Sequence, residues 1–424
     1  MVLTVPDRRM LDGEEGPDLQ KAMEILVGVG EAFDSERLID CSGAHVYTPG
    51  LYSYYFKNIE EAKARLEQVK KERLKVKCFS TCSASCPDLL AAPEIEGLSK
   101  DFKEMMSVCI DIYREMGIIV TIACAPYLAG IIPQRGEHLE YTESSDWIFA
   151  NSVQGARSNR GGMSAFFAAL TGRIPEYGMH LDENRRANKL FHVSAHIGDI
   201  ADVGALFFYC GMKADQTWDV PVLTGLEKRT FSLEDFKQAC GAFSASGAAA
   251  MFHIVGITPE APMLDTACQG QALTEKIEIN EKTLQEAYRL LTSAKEKAVD
   301  MVLFGCPHAS IKEIGEIAHL LEGKRISDHV RLWVQCLPET RMMAERMGYV
   351  ERIEKAGGHV LRNTCMVMYE DERKEQSSIP KEVKVLATNS AKTAYYAPAE
   401  YGWGVWYGPT ESCVRSAVTG KWEG

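Results

Sequence analysis

Short apolar runs alternate with charged, amphipathic helices along most of this chain, and that alternation limits the possible folds more than any other feature of the sequence. Helices are predicted over 17–34, which has an apolar side, over the strongly charged, solvated segment 59–73, and over 98–116, 232–243, 280–297, 309–323 and 338–348. Short apolar runs typical of buried strands cover 74–80, 117–123, 189–195, 220–224, 249–255, 299–305, 330–335, 358–362 and 384–388. Strands that alternate with helices form layers around mostly parallel sheets. The sequence therefore predicts an α/β fold.

Charge and composition exclude several classes of function. The formal net charge of −12 argues against a nucleic-acid partner, because phosphate binding needs a basic face. No apolar run reaches the roughly 18 residues of a membrane helix. The basic start is not followed by the apolar segment of a signal peptide. We therefore expect a cytoplasmic protein without membrane segments, built from two or three domains of roughly 100–200 residues each.

The cysteines are the residues that most directly indicate chemistry. The chain has 13 of them, scattered along its length, which favours reduced thiols over a disulfide framework. Four follow predicted strands, where parallel sheets place their ligand sites: Cys124, Cys306, Cys336 and Cys365. A cluster held by three thiolates leaves one iron open to act as a Lewis acid. Burial alone also explains any single one of these cysteines, because cysteine is often fully buried.

A second group of cysteines is closer together in the sequence. Cys78, Cys82 and Cys86 are spaced four residues apart, near the Cys-x3-Cys-x2-Cys pattern of radical S-adenosylmethionine enzymes. The last interval is one residue too long, and no glycine-rich cofactor pattern follows it. The trio therefore stays a rival metal site at this point.

Two polar motifs are candidates for substrate contact. Ser158, Asn159, Arg160, Gly161 and Gly162 precede a helix predicted to begin near Met163. Backbone N–H groups there can hold a carboxylate or phosphate, with Arg160 as the cation. A turn at the start of the helix, which needs glycine, accounts for the same residues without a ligand. The segment from His180 to Arg185 offers His180 and Glu183 for proton transfer, or a surface ion-pair network.

Polar residues also follow two of the predicted strands of the third part of the chain. His308 stands two residues after Cys306, where it contacts substrate or forms a structural hydrogen bond. Asn389, Ser390 and Lys392 follow the strand 384–388. They are explained by a substrate carboxylate site or by a helix cap with a solvated lysine.

Three long motifs resemble one known family. Residues 151–185 (NSVQGARSNRGGMSAFFAALTGRIPEYGMHLDENR), 304–310 (FGCPHAS) and 387–390 (ATNS) are similar to the aconitase X family, and the likeness runs from about residue 3 to about residue 405. The resemblance implies an aconitase-like core of three α/β domains with mostly parallel sheets. We expect these domains at 1–135 with Cys124, at 136–297 with the two polar motifs, and at 298–424 with Cys306 and Cys365.

The resemblance also implies an activity. It implies a dehydratase, a hydro-lyase, with an iron–sulfur cluster on Cys124, Cys306 and Cys365, which leaves Cys336 out of the ligand set. Its two known substrates are cis-3-hydroxy-L-proline, which we prefer, and 5-phosphomevalonate. The catalytic candidates are His180, Glu183 and Lys392, and the substrate-binding candidates include residues 158–162, His308, Asn389 and Ser390. A cluster-binding regulatory protein without turnover is the alternative from another class.

The resemblance also implies a partner subunit, and the sequence differs from the family in one loop. The family has a small swivelling domain, fused or separate, and no such domain fits after the last motif, so we expect a separate small subunit in a heterodimer. Many members carry a Thr-x-x-Asn-Pro-Ala-Gly-like loop in the first third. Here residues 80–87 read STCSASCP, which leaves Thr81 as a substrate-binding candidate and gives the Cys78, Cys82 and Cys86 trio a plainer meaning as a variant loop.

Overall fold

Three parallel sheets with helices packed between and around them form the protein. The computed structural model describes residues 1–84, 88–91, 100–365, 370–371, 376–377 and 382–424. The predicted α/β class with mostly parallel sheets is confirmed. Within these ranges no helix combines the length and the apolar composition needed to cross a membrane.

The first sheet has the strand order β3-β2-β4-β5, and all of its neighbours are parallel. The strands of this region are β1 Leu38–Asp40, β2 Gly43–Val46, β3 Phe79–Cys82, β4 His138–Tyr141, β5 Arg157–Arg160 and β6 Arg173–Pro175. The helices are α1 Val5–Leu11, α2 Pro17–Ala32, α3 Pro49–Tyr52, α4 Ile59–Glu72, α5 Lys100–Met116, α6 Ser144–Phe149 and α7 Ser164–Thr171. Because β2 pairs with β4, the first sheet extends past residue 135, our expected domain boundary.

The second sheet is also fully parallel, with the order β10-β7-β8-β9. Its elements in chain order are β7 Lys189–Val193, α8 Ile200–Lys213, β8 Pro221–Thr224, α9 Leu233–Ser246, β9 His253–Ile254, α10 Leu264–Cys268, β10 Glu275–Ile279 and α11 Glu281–Leu291. Helix α9 begins with a capping box, in which Ser232 and Asp235 satisfy each other's backbone N–H groups. One buried apolar cluster runs from this sheet to the third and includes Phe191, Phe207 and Leu303.

The third sheet has the order β13-β12-β11-β16-β17, again all parallel. Its strands are β11 Met301–Ala309, β12 Arg331–Cys336, β13 His359–Arg362, β16 Val385–Thr388 and β17 Gly404–Tyr407, with the short pair β14 Glu370–Asp371 and β15 Gln376–Ser377 between β13 and β16. Its helices are α12 Ile311–Leu320, α13 Pro338–Arg346, α14 Tyr349–Lys355, α15 Ala391–Tyr401 and α16 Thr410–Thr419.

Two predicted elements are wrong in ways that affect the site. Residues 117–123 form no strand; only Ile119 makes a single bridge, to Thr81. The backbone of Ile122 adopts a positive φ of 44°, which ends extended structure just before Cys124. The helix predicted over 280–297 ends at Leu291, because the N–H groups of Ser293 and Ala294 bond to the carbonyl of Val405 instead.

Candidate active site

A cleft of about 270 Å³ lies where the carboxyl ends of the first and third sheets meet. Loops diverge at the carboxyl ends of parallel strands, so ligand sites form there. The cleft is lined by side chains from both sheets, Thr142, Glu143, Ser144, Trp147, Arg160, Gly162, Cys365, Lys392 and Tyr396. The structure therefore brings together four residues predicted from the sequence: Arg160, Gly162, Cys365 and Lys392.

Cys306 owes its position to a break in β11. The pairing of β11 with β12 shifts between Phe304 and Ala309. At this break Gly305 has a φ of +93°, and a Cβ atom there would lie 2.0 Å from the carbonyl oxygen of Gln335. Only glycine meets both conditions, because it has no Cβ and populates positive φ readily. The break thus depends on Gly305 and sets the position of the cysteine that follows it.

Three cysteines from distant parts of the chain lie beside the cleft. Burial raises the pKa of the Cys124 thiol well above its ordinary value, and the neighbouring Glu143, Cys365 and Cys306 raise it further. Charges perturb a pKa in this way only when they are close. The backbone N–H of His308 donates to Cys124 Sγ at 3.2 Å. The three thiols predicted as ligands therefore belong to one neighbourhood.

The chemistry of this neighbourhood fits an iron–sulfur cluster. Hydrogen bonds from backbone N–H groups to the sulfurs, and nearby cations, stabilise the negative charge of a cluster. Cys124 accepts such a hydrogen bond, and the positive charge of Lys392 lies close to Cys124 and Cys306. In the described part of the chain, no three His, Cys, Asp or Glu side chains converge tightly enough to hold one metal ion. Cluster ligands bind different irons and need no such convergence.

The other cysteines singled out from the sequence lie elsewhere. Cys336 is fully buried at the end of β12, and burial raises its pKa to about 12. Cys82 is equally buried in β3, whereas Cys78 Sγ lies 4.0 Å from Cys41 Sγ. Cys86 falls outside the described residues. Among the described members of the trio, each thiol therefore has surroundings of its own.

The buried Lys392 and the partly buried Glu143 form an ion pair in the cleft. Lys392 Nζ lies 2.6 Å from Glu143 Oε1 and 3.4 Å from Ser144 Oγ, and Ser83 Oγ donates to the second carboxylate oxygen at 3.2 Å. Burial would lower the pKa of Lys392, but Glu143 and the neighbouring thiols hold it well above its ordinary value. Burial would likewise raise the pKa of Glu143, yet Lys392 keeps it below its ordinary value. The carboxylate is thus ionised at neutral pH.

The glycine-rich loop presents Arg160 to the cleft. The guanidinium carbon of Arg160 lies 5.3 Å from the centre of the Trp147 ring, within the range of a cation–π contact. Among the described residues no carboxylate pairs with Arg160, which is exposed at the cleft. A preoriented, unpaired guanidinium is suited to bind a carboxylate or phosphate of a small molecule.

The remaining residues of that loop hold its shape. Ser158 Oγ accepts the N–H of Tyr141 at 3.1 Å, and Asn159 Oδ1 accepts the N–H of Met179 at 2.8 Å. The N–H of Gly161 donates to the carbonyl of Tyr141 at 3.1 Å. The predicted cradle of backbone amides is therefore partly occupied by bonds within the protein, and Ser158 and Asn159 stabilise the loop.

Ser390 and Asn389 support the segment around Cys306. Ser390 Oγ donates to the carbonyl of Cys306 and accepts the N–H of Thr393, as the cap of α15. Asn389 Nδ2 donates to Thr410 Oγ1 at 3.0 Å. Neither side chain lines the cleft, so their predicted contacts with substrate stay predictions.

His180 and Glu183 lie on short 3₁₀ turns, apart from the cleft lining. His180 is buried; its Nδ1 lies 3.0 Å from His138 Nδ1 and its Nε2 lies 3.9 Å from Glu140 Oε2. Glu183 is exposed. The structure does not bring these two residues to the cysteines, and their catalytic roles stay predictions.

A buried histidine beneath the cleft was not predicted from the sequence. His45 Nδ1 lies 2.7 Å from the hydroxyl of Thr81, the predicted substrate contact, and His45 Nε2 lies 3.0 Å from the carbonyl of Ala123 and 3.3 Å from Asp146 Oδ2. Neither Asp146 oxygen has a hydrogen-bond partner among the described residues, and burial raises its pKa well above its ordinary value. Glu143 and His45 were missed because β4 and β2 lack the apolar runs that mark strands.

Comparison with family models gives a consistent assignment along the chain. The first, second and third domains of aconitase X match residues 1–183, 187–289 and 299–419. In solved structures, the aconitase X of Thermococcus kodakaraensis, in a form described as holo, has a TM-score of 0.82 and 32% identity, covering 98% of this chain and 100% of that one.

Individual relatives fall into two groups of dehydratases. The phosphomevalonate dehydratase large subunit of Methanocaldococcus jannaschii is 34% identical, over 98% of this chain and 100% of the relative. The cis-3-hydroxy-L-proline dehydratase of Pseudomonas aeruginosa is 31% identical, over 98% of this chain and 70% of the relative. The predicted enzyme class, a hydro-lyase, is confirmed. The chain belongs to the aconitase X family.

Proposed function

We propose that this chain is the large subunit of a dehydratase that holds an iron–sulfur cluster on Cys124, Cys306 and Cys365 and removes water from a small hydroxy acid. The observation that carries the proposal is that Cys365, Arg160 and Lys392 line one cleft, while Cys124 and Cys306 lie close enough to raise the pKa of Lys392. When bound there, a three-cysteine cluster supplies a Lewis acid for the leaving hydroxyl group.

The side chains of the cleft divide the remaining work. Arg160 binds the substrate carboxylate with its planar guanidinium, which Trp147 keeps oriented. Glu143 is kept ionised by Lys392 and is the carboxylate of the cleft lining, so it is suited to accept the α-proton, with Lys392 balancing the change in charge. Tyr396 closes the same wall of the cleft.

The substrate that we propose is cis-3-hydroxy-L-proline. Its ring is small, and it carries one carboxylate and one amine. The guanidinium of Arg160, which has no carboxylate partner among the described residues, matches the single carboxylate of that substrate. A cleft of about 270 Å³ accommodates a molecule of that size.

Phosphomevalonate is the second candidate, because three relatives named for its dehydration are 34%, 33% and 36% identical to this chain. The relatives named phosphomevalonate dehydratase large subunit are matched over 100%, 100% and 97% of their length in three cases. The two relatives named cis-3-hydroxy-L-proline dehydratase are matched over only 70% and 69%. By analogy with the large subunits, we propose a separate small subunit, with the swivelling domain, as the partner of this chain.

The decisive experiment uses the chain purified anaerobically together with its small subunit. We expect iron and acid-labile sulfide, visible cluster absorbance, and conversion of cis-3-hydroxy-L-proline to a cyclic imine. Conversion of 5-phosphomevalonate to an alkene acid instead would select the second substrate. A preparation without iron would contradict the cluster, and a loaded cluster that dehydrates neither compound would favour a regulatory protein.

A further inference from the structure

Two buried histidines make the same contact next to two different cysteines. His45 Nε2 lies 3.0 Å from the carbonyl oxygen of Ala123, the residue before Cys124. His308 Nε2 lies 2.8 Å from the carbonyl oxygen of Thr364, the residue before Cys365. Both imidazoles are completely buried. The repeated contact joins each histidine to the backbone that presents a thiol.

The partners of each ring determine its tautomer. A carbonyl oxygen can only accept, so Nε2 carries the hydrogen in both histidines. The hydroxyl of Thr81 then donates to His45 Nδ1 at 2.7 Å.

His308 also contacts the segment of Cys124. It follows Cys306 by two residues, and its backbone N–H donates to Cys124 Sγ at 3.2 Å. Its ring reaches the segment of Cys365. One residue thus connects all three cysteine-bearing segments by covalent or hydrogen bonds.

The two histidines hold backbone segments that lie outside regular secondary structure. Ala123 and Thr364 lie outside the strands, so no sheet ladder fixes the peptide groups that precede Cys124 and Cys365. Cys306, in contrast, lies within β11, and Ser390 Oγ holds its carbonyl. Outer contacts of this kind fix the orientation of ligands and raise the affinity of a site.

We propose that His45 and His308 are positioning residues that hold Cys124 and Cys365 at the spacing a cluster requires. The effect on cluster binding rests on the proposed function, but the positioning of the two cysteines can be tested in protein without a cluster. A positioning residue should alter the mobility and reactivity of its own cysteine in the iron-free chain.

The test compares His45→Leu and His308→Leu with a matched control, His253→Leu. His253 is also buried, and its Nε2 lies 2.8 Å from the carbonyl of Arg185, far along the chain from any of the three cysteines. Alkylation of each thiol in the iron-free full chain is followed by mass spectrometry, and iron loss to a chelator is followed in the loaded protein with its small subunit.

We expect His45→Leu to speed alkylation of Cys124, and His308→Leu to speed alkylation of Cys365. Each should also speed iron loss by about tenfold or more, the usual effect of removing an outer contact. His45→Gln and His308→Gln, which keep an N–H donor, should recover part of both effects. His253→Leu should lower the unfolding temperature and leave alkylation and iron loss unchanged.

Alkylation and iron loss that match His253→Leu would overturn the inference. If a leucine variant fails to fold, the glutamine variant decides, because its alkylation rate must still exceed that of wild type at the matching cysteine. Wild-type protein without iron would contradict the proposed function alone, since the alkylation result still supports or overturns the positioning role.

Discussion

The ion pair between Lys392 and Glu143 is the residue-scale feature on which the proposed chemistry depends. Its two charges lie 2.6 Å apart in the cleft, with Lys392 buried and Glu143 partly buried, so each keeps the other ionised. Removing one partner of such a pair leaves an uncompensated buried charge. The pair therefore couples the protonation of the cleft to its stability.

Lys392→Met should lower turnover by at least about 100-fold, because Glu143, the proposed proton acceptor, loses the cation that keeps it ionised. It should also lower the free energy of unfolding by roughly 3–5 kcal/mol, because Glu143 then stays buried without its cation. Adding Glu143→Gln should restore most of the stability and none of the activity. Urea unfolding measures the change in stability, and steady-state assays measure the change in turnover. If Lys392→Met alone were as stable as the wild type, the stabilising role of the pair would be contradicted.

The pair also predicts how stability depends on pH. The pKa of Glu143 is lowered in the folded protein, so its contribution is present above the ordinary carboxyl value of 4.5 and is lost as pH falls through the lower folded value. The difference in unfolding free energy between wild type and Glu143→Gln should therefore be largest near neutral pH and shrink below pH 4.5. A difference that is constant across this range would contradict the lowered pKa.

At the scale of elements, the break in β11 is required for the site. Gly305→Ala should destabilise the protein by about 2 kcal/mol or more, because alanine is strained at this positive φ and its Cβ would meet Gln335. It should also reduce iron bound per chain. Gly323→Ala is a matched control, since Gly323 has a φ of +68° and open space around it. Equal iron content in the two variants would contradict a role for the break.

The sequence predicts these elements unevenly, and the reason is physical. Helix α2 has a clear apolar face and was predicted to within about two residues, because burial of one face repeats with the helical period. The strands β2, β4 and β5 were missed, since their letters GAHV, HLEY and RSNR contain no apolar run. Their polar side chains are hydrogen-bonded in the interior and carry the site, so the pattern that marks ordinary strands is absent.

For the whole molecule, contacts between the three sheet regions converge on the cysteines. Lys237 in α9 donates to the carbonyls of Pro307 and His308, both at 3.0 Å, and Lys392 in α15 reaches Glu143 after β4. The family motifs led us to expect these three cysteines near one another, whereas strand-end position was a poor guide, because Cys124 follows no strand and Cys306 lies within β11. These supporting contacts were not predictable, because they join residues up to 249 positions apart.

Cys365→Ser should abolish iron binding, whereas Cys336→Ser should leave it unchanged, because only Cys365 lines the cleft and Cys336 is buried at the end of β12. Loss of iron should lower the unfolding temperature, since a ligand that binds only the folded state stabilises it. Iron analysis and thermal unfolding of both variants check this, and retention of iron by Cys365→Ser would remove Cys365 from the ligand set.

The distribution of the three thiols along the chain has a consequence for biosynthesis. Cys124 is followed by Cys306 after 182 residues and by Cys365 after a further 59, and Lys392 comes later still. A ribosome that has released the first sheet has exposed one of these thiols, and the pocket around them closes only when α15 has emerged. For the proposed cluster, iron and sulfide would therefore meet a complete site only after nearly the entire polypeptide has been synthesised.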